Sequence, residues 1–280
     1  MAARPKTLTA AAAPVLIGIA ASVDAGRFNI VPAILCFLFA FLMQIDANFV
    51  NDYFDYKKGI DGKNTLGPQR ACIEGWISLP ALRIVIIFTT ILACLIGLPL
   101  AFYGGWPMIL IGILCIIFCF LYTTWLSKIG LGDLLVVAFF GLVPVCTTYY
   151  IQTQFVTFHI VAISIACGLV IDCLLMVNNY RDRDTDILGG KITLVTKIGA
   201  KATENLYLWL GIMAVLLCQA LWIEGKSTAA LLPVLFLLPH ISSWRKLVRI
   251  NKGKELNIVL GEAARNIIIF ALLVSIGFII

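Results

Sequence analysis

The 280-residue chain is 61% hydrophobic, 13% charged and carries a net charge of +6. A soluble domain holds about 25% charged residues, so the ordinary globular class is excluded. The basic excess is placed as a membrane-orientation signal, and no nucleic-acid partner is expected from it.

Nine apolar runs long enough to cross a bilayer as helices follow one another, at roughly 8–24, 30–50, 77–102, 106–126, 134–151, 156–177, 203–222, 228–243 and 258–280. The expected fold is an all-α membrane protein, a nine-transmembrane-helix bundle forming a single domain over residues 1–280 with the lipid bilayer as its solvent. The first run imitates a signal peptide, but eight further spans give its basic start a topological role, so it is read as a retained helix. The eighth run is short and holds Pro233 and Pro239. Lys and Arg crowd the segments before the first run and after the second, fourth, sixth and eighth, whereas the opposite loops hold only Arg27 and Lys226. The positive-inside rule then makes the basic loops and the N-terminus cytoplasmic and puts the C-terminus outside. Eight of the nine cysteines lie in apolar runs and Cys72 in a cytoplasmic loop. No CxxC pair or Cys–His cluster is present, so neither a zinc site nor a disulfide framework is indicated.

The second and sixth runs end alike. "NFVNDYFDYKKGID" (48–61) follows one and "NNYRDRDTD" (178–186) the other, four helices apart, as if a helical unit had been repeated. At 100° per residue Asn48, Asn51, Asp52 and Asp55 fall within about a third of a helix circumference. Asn178, Asn179, Asp182 and Asp186 share a similar arc, with Asp172 continuing it deeper. Two such helices face to face gather at least four carboxylates. At an effective dielectric of 20, each pair about 4 Å apart costs roughly 4 kcal/mol, so a cation is required between them. Carboxylate and amide oxygens suit Mg²⁺, which takes few protein ligands and completes its shell with phosphate oxygens. Lys57, Lys58, Arg70, Arg181, Arg183 and Lys191 lie close by in sequence and suit the phosphate oxygens themselves. A diphosphate head bound at a membrane face, above apolar helices, points to a ligand with a long isoprenoid tail.

These two motifs resemble the paired aspartate-rich motifs of UbiA-type intramembrane prenyltransferases. "ARPKTLTA" (3–10), "GPQR" (67–70), "YTTWLSKIGLGD" (122–133), "YYIQ" (149–152) and the extension "ILGGKITLVTKIG" (187–199) resemble the branch that prenylates 1,4-dihydroxy-2-naphthoate in menaquinone biosynthesis. The resemblance implies a helical bundle around a central cavity in the cell (inner) membrane, its active site facing the cytoplasm. It implies a polyprenyl diphosphate and 1,4-dihydroxy-2-naphthoate as substrates, Mg²⁺ as cofactor, and loss of carbon dioxide and pyrophosphate. Carried over by position, Asn51, Asp55, Asn178, Asp182 and Asp186 match the metal-binding motifs, joined by Asp52 from its place on the helix face. Where the first motif ends in an acid this chain has Gly59, and Asp61 arrives two residues later. Asp55, Asp182, Asp186 and Lys128 are the catalytic candidates. Lys57, Arg70, Arg181 and Lys191 are those for the diphosphate, Arg4 and Tyr122 those for the acceptor. The competing role for Arg4 is an orientation charge.

Asp46 is expected to make an interhelical hydrogen bond or to face a polar crevice, His159 and His240 to be interfacial, and Glu262 to pair with Arg265. Residues 242–255 read as a basic interfacial stretch. The alternatives are another aromatic acceptor, such as 4-hydroxybenzoate, and a secondary transporter, whose site lies near the bilayer midplane.

Overall fold

The computed structural model describes residues 4–57, 66, 72, 75–126 and 129–280. Among the described residues nine helices are long and apolar enough to cross a membrane. They are α1 (Pro5–Asp24), α2 (Ile30–Lys57), α3 (Leu79–Gly104), α4 (Pro107–Thr124) and α5 (Gly132–Thr153). α6 (Phe158–Leu188), α7 (Leu194–Glu224), α8 (Ser227–Ile250) and α9 (Leu256–Ile279) complete the bundle. The one β-type contact among the described residues is an isolated parallel bridge, Ile129 to Ile192, which ties the segment before α5 to that before α7.

Number and order agree with the apolar runs; the lengths of several helices do not, and α2 and α6 matter most for the site. α2 has 28 residues and α6 has 31. At 1.5 Å per residue they are about 42 and 46 Å long, well beyond a hydrocarbon core of about 30 Å. The apolar runs stop near residues 50 and 177, but both helices continue through the Asn- and Asp-rich segments. Those side chains therefore stand at fixed angles on a rigid helix.

α6 is the centre of the bundle, packed against α5, α7 and α9, while α1 packs against α2, α5 and α9. In its most apolar window α6 is 72% buried, against 11% for α4. α3 and α4 turn bulky apolar side chains outward, among them Ile84, Phe88, Leu95 and Phe102. The contact of α5 with α6 is made backbone to backbone. A Cβ on Gly141 would lie 2.5 Å from the Gly168 Cα, and one on Gly168 would lie 2.7 Å from the Val137 carbonyl oxygen. Small residues of this kind let membrane helices approach closely. They sit where α5 is locally widened into a π-helical turn, Val137–Leu142.

α7 begins earlier than its apolar run, on a reciprocal cap between Thr193 and Thr196, and is redirected at Gly199, whose φ is +79°. α8 crosses Pro233 through a 3₁₀ stretch, Leu232–Phe236, and carries Pro239 in the first turn of the α-helical part that follows. Two smaller expectations give way here. His240 is not interfacial: it is buried between α7 and α8, stacked on Tyr207 and Phe236 and 3.1 Å from the Tyr207 carbonyl oxygen. Glu262 pairs with Lys246 instead of Arg265, because α8 brings that lysine closer than the next turn of its own helix. Asp46 does make the interhelical contact, accepting from Thr89 at 2.5 Å and Thr90 at 2.8 Å on α3.

Candidate active site

Between α1, α2, α4, α5 and α6 lies a chamber of about 1400 Å³. Its rim is polar and is built by the two acidic helix ends. Asn48, Asn51 and Asp55 reach it from α2, and Asn178, Asn179, Asp182, Thr185 and Asp186 from α6. Below the rim the wall is apolar and aromatic, with Phe39, Phe118, Phe139, Phe140 and Leu174, and it continues to Leu100, Met108 and Ile151 near the far side of the bundle.

The ends of α2 and α6 meet electrostatically: Asp182 and Asp55 both act on the Asp186 carboxylate. Three of the four gathered carboxylates expected from the helix arcs therefore share the rim. The fourth, Asp52, is buried against Arg4, with which it forms an ion pair. The reason is angular: Asp52 lies at the edge of the α2 arc, about 100° from Asn51, on the side facing α1. Arg4 itself lines the chamber, as does Thr7, whose hydroxyl accepts from the Asn48 amide at 3.0 Å.

The α6 end is organised by Arg181. Its Nε donates to Asp182 Oδ1 at 2.8 Å and its Nη2 to Asp182 Oδ2 at 2.6 Å, a two-bond fork. The same Nη2 donates to Asn178 Oδ1, and Nη1 to Asn257 Oδ1, each at 2.8 Å. Asn257, at the start of α9, in turn donates to the Leu66 carbonyl oxygen. One buried guanidinium thus fixes two motif side chains. Lys191 lies 3.2 Å from Asp186 and also lines the chamber. Asn51 accepts from Thr123 of α4 at 2.5 Å. Tyr122 lines the wall next to it and is within the electrostatic reach of Asp55, Asp133 and Asp172.

Not every candidate comes to the chamber. Lys57 is exposed at the end of α2 and is not among its lining residues. Arg183 is engaged elsewhere, over the Tyr180 ring and on Asn251. Asp61, Arg70 and Lys128 lie outside the described residues. Asn257 escaped the sequence reading because a lone amide at a helix start gives no pattern. Asp133 lay inside a quoted motif without being singled out.

The rim's donors are all oxygens from carboxylates and amides, the set a hard divalent cation takes. Among the described residues no three His, Cys, Asp or Glu side chains close into a metal cage by themselves. A cation that fills its shell with phosphate oxygens needs no such cage.

A membrane-embedded helical bundle with an acidic rim above an apolar chamber defines a class of enzyme that works on lipid-tailed substrates. Residues 11–259 match the UbiA prenyltransferase family, and the chain belongs to it. It is 37% identical over 215 residues to the 1,4-dihydroxy-2-naphthoate octaprenyltransferase of Haemophilus influenzae, covering 71% of this chain and 68% of that one. Its fold resembles a UbiA homologue from Aeropyrum pernix, with a TM-score of 0.73 at 14% identity over 96% of both chains. A UbiA homologue from Archaeoglobus fulgidus bound to GPP and Mg²⁺ gives a TM-score of 0.66 at 15% identity, over 99% of this chain and 98% of that one. The protein is thus an all-α, multi-pass membrane prenyltransferase.

Proposed function

We propose that this enzyme transfers a polyprenyl group from an allylic polyprenyl diphosphate to 1,4-dihydroxy-2-naphthoate, a step of menaquinone biosynthesis. The observation that carries the reading is the convergence of two acidic helix ends on one chamber whose remaining wall is apolar. The naming of the Haemophilus relative supports the acceptor. The Archaeoglobus homologue, bound to a prenyl diphosphate with Mg²⁺, supports the donor and the metal.

Asn51, Asp55, Asn178, Asp182 and Asp186 hold Mg²⁺ in this reading. The chemistry supplied at that donor set by bound Mg²⁺ is Lewis-acid stabilisation of charge building on the leaving diphosphate oxygen. Arg181 keeps Asp182 and Asn178 aimed into the chamber. Lys191, at the rim, is placed to meet diphosphate oxygens. The apolar wall excludes water from the allylic carbon as its C–O bond breaks, and the faces of Phe118, Phe139 and Phe140 favour positive charge there. Pyrophosphate leaves with the bonding pair. The ring carbon bearing the carboxylate then bonds to the allylic carbon, and its bond to the carboxylate breaks to release carbon dioxide. That electron pair restores the aromatic ring, so an ionised acceptor neither gains nor loses a proton overall. Arg4, whose guanidinium suits a carboxylate, holds the acceptor at the rim.

The distribution of Lys and Arg supports a cytoplasmic N-terminus and a rim open to the cytoplasm; the membrane proposed is the cell's inner membrane. The deciding experiment incubates purified protein with labelled polyprenyl diphosphate, Mg²⁺ and either 1,4-dihydroxy-2-naphthoate or 4-hydroxybenzoate. Product is expected from the naphthoate together with one equivalent of carbon dioxide. Product from 4-hydroxybenzoate alone would overturn the assignment.

A further inference from the structure

Asp133 opens α5 in the chamber wall, and its burial is unusual for a carboxylate: it is 8% exposed, and Oδ1 has no hydrogen-bond partner among the described residues. Behind it on α6 lies Asp172, 3% exposed and also with an unpartnered Oδ1, near enough for the two charges to interact. Asp172 is not among the chamber's lining residues. An orphaned carboxylate oxygen is costly in an apolar wall, and the neighbouring acid makes a donor more necessary.

Of the two substrates, only the aromatic one can provide that donor. A prenyl diphosphate presents acceptor oxygens and hydrocarbon, whereas a dihydroxynaphthoate carries two ring O–H groups. Tyr122, in the chamber wall, is within electrostatic reach of both Asp133 and Asp55. Its hydroxyl lies 3.6 Å from the place a Cβ on Gly132 would occupy, so the wall beside Asp133 is left open by that glycine. Resting on the proposed reaction, we infer that Asp133 is the docking residue for a ring hydroxyl of the acceptor. Tyr122 packs beside the ring, and Asp172 acts as a positioning residue from behind. The hydroxyl donates to Oδ1, which holds the ring against the acidic rim and pushes electron density toward the attacking carbon. No proton needs to leave the ring.

The test is steady-state kinetics of full-length wild type, Asp133→Asn and Asp133→Glu, with direct binding of the acceptor measured in the absence of prenyl donor. Acceptors are 1,4-dihydroxy-2-naphthoate and two analogues that each lack one ring hydroxyl. A hydrogen bond to a charged group sets the scale at about tenfold to a hundredfold. Asp133→Asn is expected to raise the KM and the Kd for the dihydroxy acceptor by that factor. The KM for prenyl diphosphate should stay within about twofold, which also reports correct folding, and Asp133→Glu should recover part of the loss. With one analogue, wild type and Asp133→Asn should be equal. Unchanged acceptor binding in Asp133→Asn, or the same loss with both analogues, would overturn the docking role. If Asp133→Asn does not fold, the analogue series on Asp133→Glu decides by the same criterion. A wild type inert toward dihydroxynaphthoate would instead remove the proposed function, and this inference with it.

Discussion

The ends of α2 and α6 carry nearly the same residues but are held in opposite ways. On α6 the motif supplies its own counter-charges: Arg181 forks onto Asp182 and Lys191 lies against Asp186. On α2 the described partners come mainly from outside the helix, Arg4 for Asp52, Thr7 for Asn48 and Thr123 for Asn51, with Gln44 of α2 itself also donating to Asn48. α6 is also the buried centre of the bundle, whereas α2 packs on the peripheral α3 and α4. One end is thus a rigid platform set by its own sequence. The other is positioned by the chain that surrounds it. A cation bridging the two would join a fixed half-site to an adjustable one.

The most damaging change should fall on the fixed half. Asp182→Asn removes a proposed metal ligand and leaves the Arg181 guanidinium, 2% exposed, without its charged partner. Losing a carboxylate that would hold the metal weakens stabilisation of charge on the leaving diphosphate, so turnover should fall roughly a thousandfold while the protein still inserts. Near-wild-type prenyl transfer by the purified variant would break the comparison at its root. Asp55→Asn removes the carboxylate that faces the α6 end across the chamber. A smaller loss, on the order of a hundredfold, is expected, and raised Mg²⁺ should restore part of it because the half-site can adjust. Equal losses in both variants, with no rescue, would mean that the two ends are equally rigid. Lys191→Ala should act on binding, raising the KM for prenyl diphosphate by about tenfold with little change in kcat. An effect confined to the acceptor would reassign that lysine.

How far the sequence reaches follows the same division. The number and order of the helices were legible because an apolar run of bilayer length permits little else. The arcs on α2 and α6 were legible because the motif residues continue the helix, where 100° per residue converts spacing into direction. Asp172 shows the limit of that arithmetic. It lies about 80° around α6 from Asp182, enough to turn it from the chamber toward Asp133, and only packing against α5 decides the difference. Arg181 reads in sequence as a base for phosphate. Three of its four hydrogen bonds stay on α6, to Asp182 and Asn178, and the fourth reaches Asn257 of α9, a helix that carries no motif. Asn257 and Asp133 were silent for a related reason: a single polar residue gains meaning only from what the fold places opposite it.

The gentlest probe of the difference is Thr123→Val. The hydroxyl of Thr123 fixes Asn51 from α4, a helix of which only 11% of the apolar window is buried. Valine keeps the volume and the branching at Cβ, so packing at the end of α4 should survive while the hydrogen bond is lost. A neutral bond of this kind contributes about 0.5–1.5 kcal/mol, which predicts a twofold to tenfold drop in kcat/KM. Because Asn51 would then be free to choose rotamers, the drop should appear as a raised Mg²⁺ requirement and shrink at saturating metal. A deficit that metal leaves untouched would show that Thr123 supports the wall of the chamber and not the half-site on α2. If α2 is the adjustable half, its defects should yield to added cation; those of α6, locked by its own arginine, should not.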